Sequence, residues 1–468
     1  MGGADRVTQL PQQDNRSLGK KAFVEIRTGM LAAITFYCWL ALSLLYYAFV
    51  HTPAPINIVV NLSAGLVCTL ALAAVSSDQL LLKVYLISFS LATALASLQL
   101  SRDQPAFTPD FILFLVLHMS LLGLAIAAGT AVVTRPFHVH RNDSNAILSV
   151  LLLALIAIAV SVTLMKGVRL TGFLQGLKTD GDLYRVSGLS GLQGVLTIFL
   201  LCCFTSMGKL SRVVLVLATL AISIVDVKRG DSIRILTFLF FCALIFVHRY
   251  GLRRRYLILL VGLGIITAIV FVIAGEVRQN LYSAGVSISS ILNSRINISS
   301  VDWLYGYFGI NISVLQRYFE SATTAPGYFA QLLQLTFSSS PGSLAETMSI
   351  NGFNAGTAFS TFASANQIFP TADYFVFCVL IAAMVALAKA SGSISLMAFL
   401  MLQIFGFVFG NQLILPYYLI GYFAAGAYLI SANATAEPLT TVAGRHGLAS
   451  MPPGQIHGMQ AGQRPNRI

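Results

Sequence analysis

The chain has 468 residues, of which 56% are hydrophobic and only 10% are charged. Because soluble domains carry about 25% charged residues, this composition excludes an ordinary soluble protein and predicts an all-α integral membrane protein. The 29 Lys and Arg residues outnumber the 17 Asp and Glu residues, and the formal net charge is +12. Most basic residues lie between apolar runs, where they determine membrane topology, so we predict no nucleic-acid partner.

The hydrophobic residues form runs that are long enough to cross a bilayer, which requires about 20 residues. We predict about twelve transmembrane helices, or about eleven because the runs 211–225 and 232–248 are short. The runs are 30–50, 56–75, 79–100, 110–133, 145–165, 190–207, 211–225, 232–248, 256–274, 373–389, 393–411 and 413–431. They divide the chain into an N-terminal tail (1–29), a first helical part (30–274), a long loop (275–372), a second helical part (373–431) and a C-terminal tail (432–468).

Basic residues predict the orientation of these helices, because Lys and Arg accumulate on the cytoplasmic side of a membrane. The N-terminal tail is basic and lacks a small-residue cleavage signal, so we expect an uncleaved cytoplasmic tail. Both termini are predicted to be cytoplasmic and loop 275–372 to be external, because every second connection is basic too. Those connections carry Arg135 and Arg141, Lys209 and Arg212, Arg249 with Arg253 to Arg255, and Lys389. The C-terminal tail is rich in Pro, Gly and Gln, which predicts disorder.

Loop 275–372 is unusual, because connections in compact proteins are short. It mixes aromatic, amide and charged residues, as in NSRINISSVDWLYGYFGINISVLQRYFE at 293–320. This mixture suits a surface that handles a polar, sugar-like substrate at a membrane boundary. Its aromatic residues could stack on sugar rings or could anchor the loop at the membrane interface. They are Trp303, Tyr305, Tyr307, Phe308, Tyr318 and Phe319.

Several basic residues lie on the predicted external side, against the topology rule. A charge beside a bilayer is costly without a partner, and clustered guanidinium groups suit a diphosphate because the planar fork makes bidentate contacts. Arg229 and Arg278 are the strongest candidates, since each adjoins the end of a span. Local pairing with neighbouring aspartates is the alternative. The external set is Lys166, Arg169, Lys178, Arg185, Lys228, Arg229, Arg234, Arg278, Arg295 and Arg317.

Transfer of a sugar from a lipid diphosphate requires a base for the acceptor hydroxyl, and a carboxylate can serve. Asp302 and Glu320 are the candidate catalytic residues. The alternative is that they form salt bridges with Arg295 and Arg317. Loop 275–372 contains no histidine, and His51 is the only histidine predicted on the external side.

The small and sulfur-containing residues of the spans suggest packing rather than chemistry. All six cysteines fall within predicted spans, without the spacing of a metal site or a redox motif. We therefore predict neither a metal nor a cofactor. Gly406 with Gly410 form a GxxxG pair, and Gly188, Gly191 and Gly194 recur at every third residue; both patterns predict close helix packing. His118 within a span is expected to be a packing residue.

The span arrangement and three short motifs resemble Wzy-type polymerases of O-antigen or oligosaccharide repeat units. Lys228-Arg229-Gly230 follows a mid-chain span, as an Arg-Gly pair does in that family. The stretch 305–311, which contains Tyr307, resembles the family's tyrosine-rich segment. Asn354 begins an element that resembles its Asn-x-x-Thr motif. The resemblance covers roughly residues 190–430 and is mainly architectural.

The resemblance implies a membrane glycosyltransferase of GT-C-like architecture in a bacterial inner membrane. Its donor would be a growing glycan on undecaprenyl diphosphate, and its acceptor a new lipid-linked repeat unit. Arginines would hold the diphosphate and stabilise it as it leaves, and Tyr307 and Asn354 would contact the substrate. The bilayer, a chain-length regulator and a flippase would be its partners. The corresponding arginines here are Arg169, Arg185, Arg229, Arg278 and Arg317.

Three other classes of protein share parts of this pattern. An O-antigen ligase has a similar architecture, but a histidine is expected in its large loop. A glycosyltransferase that uses lipid-phosphate sugars has an acidic pair in its first external loop, whereas residues 51–55 contain no carboxylate. A flippase or transporter would favour paired repeats and charges near the bilayer midplane, and we find no convincing repeat.

Overall fold

The computed structural model describes residues 33–73, 79–132, 146–165, 189–225, 229–250, 254–282, 287–321, 327–337, 350, 357–410 and 412–449. Apart from isolated bridge residues, namely Ser101 with Ser294, and Ile350, the regular structure of these residues is helical. The longer helices are α1 (Ala33–Phe49), α2 (Pro55–Ala73), α3 (Leu80–Ser97), α4 (Pro109–Val132), α5 (Ala146–Met165), α6 (Leu189–Cys202), α7 (Lys209–Val225), α8 (Arg229–Tyr250), α9 (Arg254–Tyr282), α10 (Ser299–Glu320), α11 (Tyr328–Phe337), α12 (Ala372–Ser391), α13 (Ile394–Gly406) and α14 (Pro416–Ala449).

Five of these helices, α2, α3, α4, α5 and α12, are long and apolar enough to cross a membrane. Shorter apolar helical stretches occur in α1, α6, α8, α9 and α13. Large apolar side chains are exposed on several of the five long helices, such as Leu153 on α5 and Val379 on α12. Such exposure is expected of surfaces that face lipid. The chain is therefore an all-helical, multi-pass membrane protein. Each predicted span overlaps one helix, from α1 to α9 and from α12 to α14, while the number of crossings stays a prediction. The predicted spans 190–207 and 393–411 extend past the ends of α6 at Cys202 and α13 at Gly406.

Hydrogen bonds join three connections at one end of the helical bundle, which we call the His51 end. The N–H of Arg102 donates to Asn293 O, and the N–H of Arg295 donates to Leu100 O. These bonds tie the α3–α4 connection to the segment before α10. His51, in the α1–α2 connection, reaches the α3–α4 connection through its side chain. The alternation of the predicted spans places these three connections on one side.

A second group of connections meets at the opposite end, which we call the Thr205 end. Oγ of Ser395, at the start of α13, donates to Cys202 O at the end of α6. Thr205 Oγ1 lies 3.0 Å from the same Ser395 hydroxyl. Arg212, predicted to be cytoplasmic, donates from Nη2 to Thr205 O. Two connections that the sequence predicts to be on the cytoplasmic side thus contact each other.

Helix α10 lies within the segment predicted as an external loop, and it packs into the bundle at the His51 end. Its side chains Trp303, Tyr305 and Phe319 are at most 3% exposed. Gly309 permits close approach to α3, since a Cβ there would lie 3.3 Å from the Ala96 nitrogen. That Cβ would also lie 2.6 Å from the ring of Tyr305, one turn earlier in α10. Part of the predicted loop is therefore built into the helical core.

Helix α13 is too short to cross a bilayer, and the chain beyond it is buried beneath α10. Its 13 residues extend about 20 Å, against about 30 Å for the hydrocarbon core. Phe407 O accepts from the N–H of Ala358, and Val408 O accepts from Asn311 Nδ2. Donors from the protein therefore hydrogen-bond these two main-chain oxygens, which lipid could not do.

The predicted glycine packing is confirmed at one position and wrong at others, and Gly188 lies outside the described residues. A Cβ at Gly194 would lie 2.9 Å from the Tyr417 ring, so close packing is confirmed there. Nothing lies within 4 Å of a Cβ built at Gly191 or at Gly406, so the prediction is wrong for both. Gly410 lies beyond α13 at φ 139, where an L side chain is strained; its role is in the turn.

Candidate anion-binding site at the His51 end

Arg295 lies where the three connections of the His51 end meet. Its N–H donates to Leu100 O at 2.8 Å, and its Nε donates to Gln99 O at 3.0 Å. The side chain is half-buried. Among the described residues, neither terminal nitrogen of the guanidinium has an acceptor. Arg295 is therefore fixed in position while Nη1 and Nη2 keep their N–H groups available for an anion.

Gln99 connects Arg295 to His51 from a strained backbone conformation. Its φ is 51°, which is the left-handed region that costs a residue with a Cβ roughly 1–2 kcal/mol. The side chain is buried, with Nε2 donating to Gln104 O at 3.3 Å and Oε1 lying 3.5 Å from His51 Nε2. Such strain persists only where the surroundings enforce it, and it is common at functional sites.

The bonds of Gln99 assign the proton of neutral His51 to one of its two ring nitrogens. Because Nε2 of Gln99 is the donor to Gln104, its Oε1 accepts, and His51 Nε2 is the protonated nitrogen. Nδ1 then presents a lone pair that has no donor among the described residues. Burial, and next the charge of Arg295, lower the pKa of His51 below its ordinary value, and the Gln99 bond opposes this shift. His51 is therefore neutral at physiological pH.

Asp302, one of the two predicted catalytic residues, is fully buried in the first turn of α10. Its Oδ1 accepts from Ser294 Oγ at 2.6 Å, and its Oδ2 accepts from Ser289 Oγ at 2.5 Å. Serine hydroxyls, rather than the guanidinium of Arg295, thus satisfy the carboxylate. The carboxylate ties α10 to the segment that precedes it, and so helps to position Arg295, the residue after Ser294.

Glu320, the other predicted catalytic residue, lies at the opposite end of the same helix. It follows Asp302 by 18 residues, which corresponds to about 27 Å along the helix axis. Its carboxylate is exposed and accepts from Gln316 Nε2 at 2.7 Å. Arg317 is half-buried in the same last turn. The structure therefore does not bring the carboxylates of Asp302 and Glu320 together. Arg317 lies in the same helical turn as Glu320.

The Tyr307 ring packs against other aromatic rings of the protein. Its centroid lies 4.9 Å from that of Phe271 in α9, 6.1 Å from Trp303 and 6.5 Å from Phe409. Trp303 and Tyr305 are buried. Because both rings are buried, they contribute to the packing of α10 and do not present a face for stacking on a sugar or for anchoring the segment at the membrane interface.

The other predicted substrate contacts are not part of the described site. Arg169, Arg185 and Asn354 lie outside the described residues. Arg229 is the first residue of α8 and Arg278 lies within α9, but their side chains fall outside the description as well. The diphosphate-binding role of the four arginines and the substrate contact of Asn354 stay predictions.

The contacts of Arg234, another basic residue of the predicted external set, indicate a structural role. Its Nη1 donates to the Tyr418 hydroxyl at 3.0 Å, joining α8 to α14. Tyr418 is 4% exposed. Because a guanidinium within a helical membrane bundle requires partners, this bond accounts for part of the cost of its position.

The sequence identified only part of the polar site. Arg295 belonged to the external basic set and His51 was the single external histidine, yet neither was selected as a substrate contact. Arg229 and Arg278 were the strongest candidates because each adjoins a span end, and Arg169, Arg185 and Arg317 were the other arginines predicted to bind the diphosphate. Gln99, which links the two, carries no signal in the sequence, because its role arises from a backbone conformation and from contacts between distant segments.

Fold and site together define a multi-pass, all-helical membrane protein with a half-buried arginine and a neutral histidine at one end of its bundle. No family model, curated protein or solved structure matches the chain. Its function has to be inferred from the polar site and the sequence.

Proposed function

We propose that this protein polymerises oligosaccharide repeat units carried on undecaprenyl diphosphate into O-antigen or exopolysaccharide. It acts as a membrane glycosyltransferase of GT-C-like architecture on the outer face of a bacterial inner membrane, and both of its termini are cytoplasmic. A chain-length regulator and a flippase are its further partners. Support comes from the motifs at 228–230, 305–311 and 354–357 that resemble Wzy-type polymerases, and from the polar site at the His51 end.

The observation that carries the proposal is the half-buried guanidinium of Arg295, whose terminal nitrogens have no partner among the described residues. A planar fork with free N–H groups matches the oxygens of a diphosphate. Its described neighbours Gln99 and His51 are neutral, so they do not cancel its charge. Exposed apolar side chains adjoin the site on α1, including Leu45 and Phe49. A diphosphate at Arg295 therefore has a lipid-facing surface beside it for a polyprenyl chain.

The chemistry of the proposal is an inverting transfer. The acceptor hydroxyl oxygen attacks the anomeric carbon of the donor sugar, and the bond between that carbon and the diphosphate oxygen breaks. The diphosphate leaves with the electron pair, stabilised by Arg295, and the acceptor proton passes to a base. Asp302 is buried on its serine partners and Glu320 lies at the far end of α10, whereas His51 is linked to Arg295 through Gln99.

Deletion of the gene, followed by gel electrophoresis of surface polysaccharide, tests the proposal. The polymerase proposal predicts that the ladder collapses to a single repeat unit on the lipid core, and that the wild-type gene restores the ladder. Unchanged polysaccharide in the deletion strain would contradict it. If repeat units instead stay on the cytoplasmic side of the membrane, the protein is a flippase and the proposal is wrong.

An O-antigen ligase is the second candidate, and the position of His51 favours it. The sequence argued against a ligase because loop 275–372 has no histidine. His51 comes from the α1–α2 connection, but Gln99 links it to Arg295 of that same segment, and the charge of Arg295 acts on it. The same gel separates the two functions, since loss of a ligase leaves unmodified lipid core and accumulates lipid-linked polymer.

A further inference from the structure

We infer that His51, Gln99 and Arg295 form one oxyanion site, in which an anion on Arg295 and a proton on His51 Nδ1 bind cooperatively. The ligand chemistry is that of a phosphate group. The exposed apolar surface beside the site favours the diphosphate diester of a lipid-linked glycan as its source. The site itself rests on the described geometry, and only the identity of the anion rests on the proposed function.

Three segments that are distant in sequence hold the site in place. Arg295 is anchored to the α3–α4 connection through Leu100 and Gln99. The buried carboxylate of Asp302 binds the hydroxyl of Ser294, the residue before Arg295. The guanidinium is thus oriented before any ligand arrives, and this preorganisation reduces the entropic cost of binding.

The coupling follows from the charge of Arg295. Without a ligand, the guanidinium disfavours a second positive charge on His51, which is one cause of its lowered pKa. An oxyanion on Arg295 offsets that charge and favours the protonated imidazole. Because coupling is reciprocal, the proton strengthens anion binding by the same factor. A rise of one unit in the pKa of His51 corresponds to roughly tenfold tighter binding below that pKa.

The other ionisable groups at this end do not replace His51 in that role. Arg295 is the charged group that acts on His51 among the described residues. The serine-bound carboxylate of Asp302 is already satisfied, and the remaining groups are two α1 tyrosines, one α10 tyrosine and two exposed residues of the α3–α4 connection. These are Tyr46, Tyr47, Tyr305, Arg102 and Asp103.

In the proposed transfer, this coupling gives His51 a defined task. Its Nδ1 lone pair takes the proton of the acceptor hydroxyl as that oxygen attacks the donor sugar. The bound diphosphate favours the resulting imidazolium, so the base is strengthened only when the donor is in place.

Calorimetric titration of the full-length protein in lipid nanodiscs tests the site. The probe is dimethyl diphosphate, a diester whose charge stays constant between about pH 5.5 and pH 7.5, with sulfate as a second anion. We expect the wild type to bind the diester about tenfold more tightly at the lower pH. His51→Gln should bind with an affinity that does not change with pH. Arg295→Gln should lose binding, and Arg102→Gln, an exposed arginine nearby, should behave as wild type.

The inference would be overturned if the wild type did not bind the diester or if Arg295→Gln bound it as tightly as the wild type. It would also be overturned if His51→Gln kept the pH dependence of the wild type. If Arg295→Gln does not fold, Arg295→Lys keeps the charge without the fork and should bind at least about tenfold more weakly; equal binding would overturn the site. Sulfate binding as tight as that of the diester supports the site and assigns it to a free anion. If the gel shows loss of polymerisation but the protein binds no anion, only the site is rejected. If the protein binds the anion but the gel shows unchanged polysaccharide, only the proposed function is rejected.

Discussion

Nε of Arg295 donates to the main-chain oxygen of Gln99, a residue 196 positions earlier in the chain. This bond joins the segment before α10 to the end of α3, and the side chain of Gln99 extends the link to His51. The polar site therefore depends on the left-handed backbone of Gln99, which directs its carbonyl towards Arg295 while its side chain contacts His51 and Gln104. Strain at Gln99 and function of the site are physically connected.

The strain at Gln99 can be measured by comparing two substitutions. Gln99→Ala and Gln99→Gly both remove the side-chain bonds, but only glycine adopts φ 51° without cost. We expect the glycine variant to unfold with a free energy about 1 kcal/mol higher than that of the alanine variant. Denaturant unfolding in detergent micelles checks this, and equal stabilities would show that the left-handed conformation carries no strain.

Gly309 is predicted to control the approach of α10 to α3. Gly309→Ala introduces a Cβ that would lie 3.3 Å from the Ala96 nitrogen of α3 and 2.6 Å from the ring of Tyr305, one turn earlier in α10. We expect a loss of about 1–3 kcal/mol in the free energy of unfolding. Gly191→Ala is the matched control, because nothing lies within 4 Å of its Cβ, and helix propensity predicts no loss there. Equal losses in the two variants, measured by thermal unfolding, would contradict the close packing.

Asp302 is predicted to stabilise the site rather than to serve as the base. Asp302→Ala leaves two buried serine hydroxyls, of Ser289 and Ser294, without their acceptor, and should cost about 2–4 kcal/mol. Asp302→Asn keeps one acceptor oxygen and should cost less while retaining the polysaccharide ladder. The outcome that refutes this role is an Asp302→Asn protein that is stable and present in the membrane but forms no ladder.

The lowered pKa of His51 predicts a specific contribution to stability against pH. Because its folded pKa lies below the unfolded value of about 6.5, the unfolded chain binds more protons at acidic pH. The contribution of His51 is present above about pH 6.5 and is lost as the pH falls towards the folded pKa. His51→Gln should flatten the fall in unfolding free energy between about pH 7 and pH 5. Parallel curves for the two proteins would contradict the shift.

The helices could be predicted from sequence because a backbone in lipid must satisfy its own hydrogen bonds, so an apolar run of bilayer length becomes a helix. Each predicted span overlaps a helix for that reason. Helix α10 was not predicted, because its buried face includes Asp302, Asn311 and Gln316, whose polarity hides the pattern of a core helix. The GxxxG spacing of Gly406 and Gly410 wrongly predicted a pair on one helix face, because α13 ends at Gly406 and Gly410 lies beyond it.

The site could be predicted less well than the fold. Charge placement alone indicates that arginines on the external side bind an anion, and Arg295 belongs to that set. Which arginine is positioned for the task depends on Gln99, and contact between residues 48 and 196 positions apart leaves no local pattern in one sequence. The aromatic run likewise carries no sign that Trp303 and Tyr305 face the core.

The most direct test of the central claim is the surface polysaccharide ladder of a deletion strain that carries Arg295→Gln. Arg102→Gln serves as its control, since it removes the same charge from an exposed neighbour on the same end of the bundle. The account predicts a single repeat unit on the lipid core for Arg295→Gln and a full ladder for Arg102→Gln, at equal protein levels in the membrane. A full ladder in the Arg295→Gln strain would contradict it.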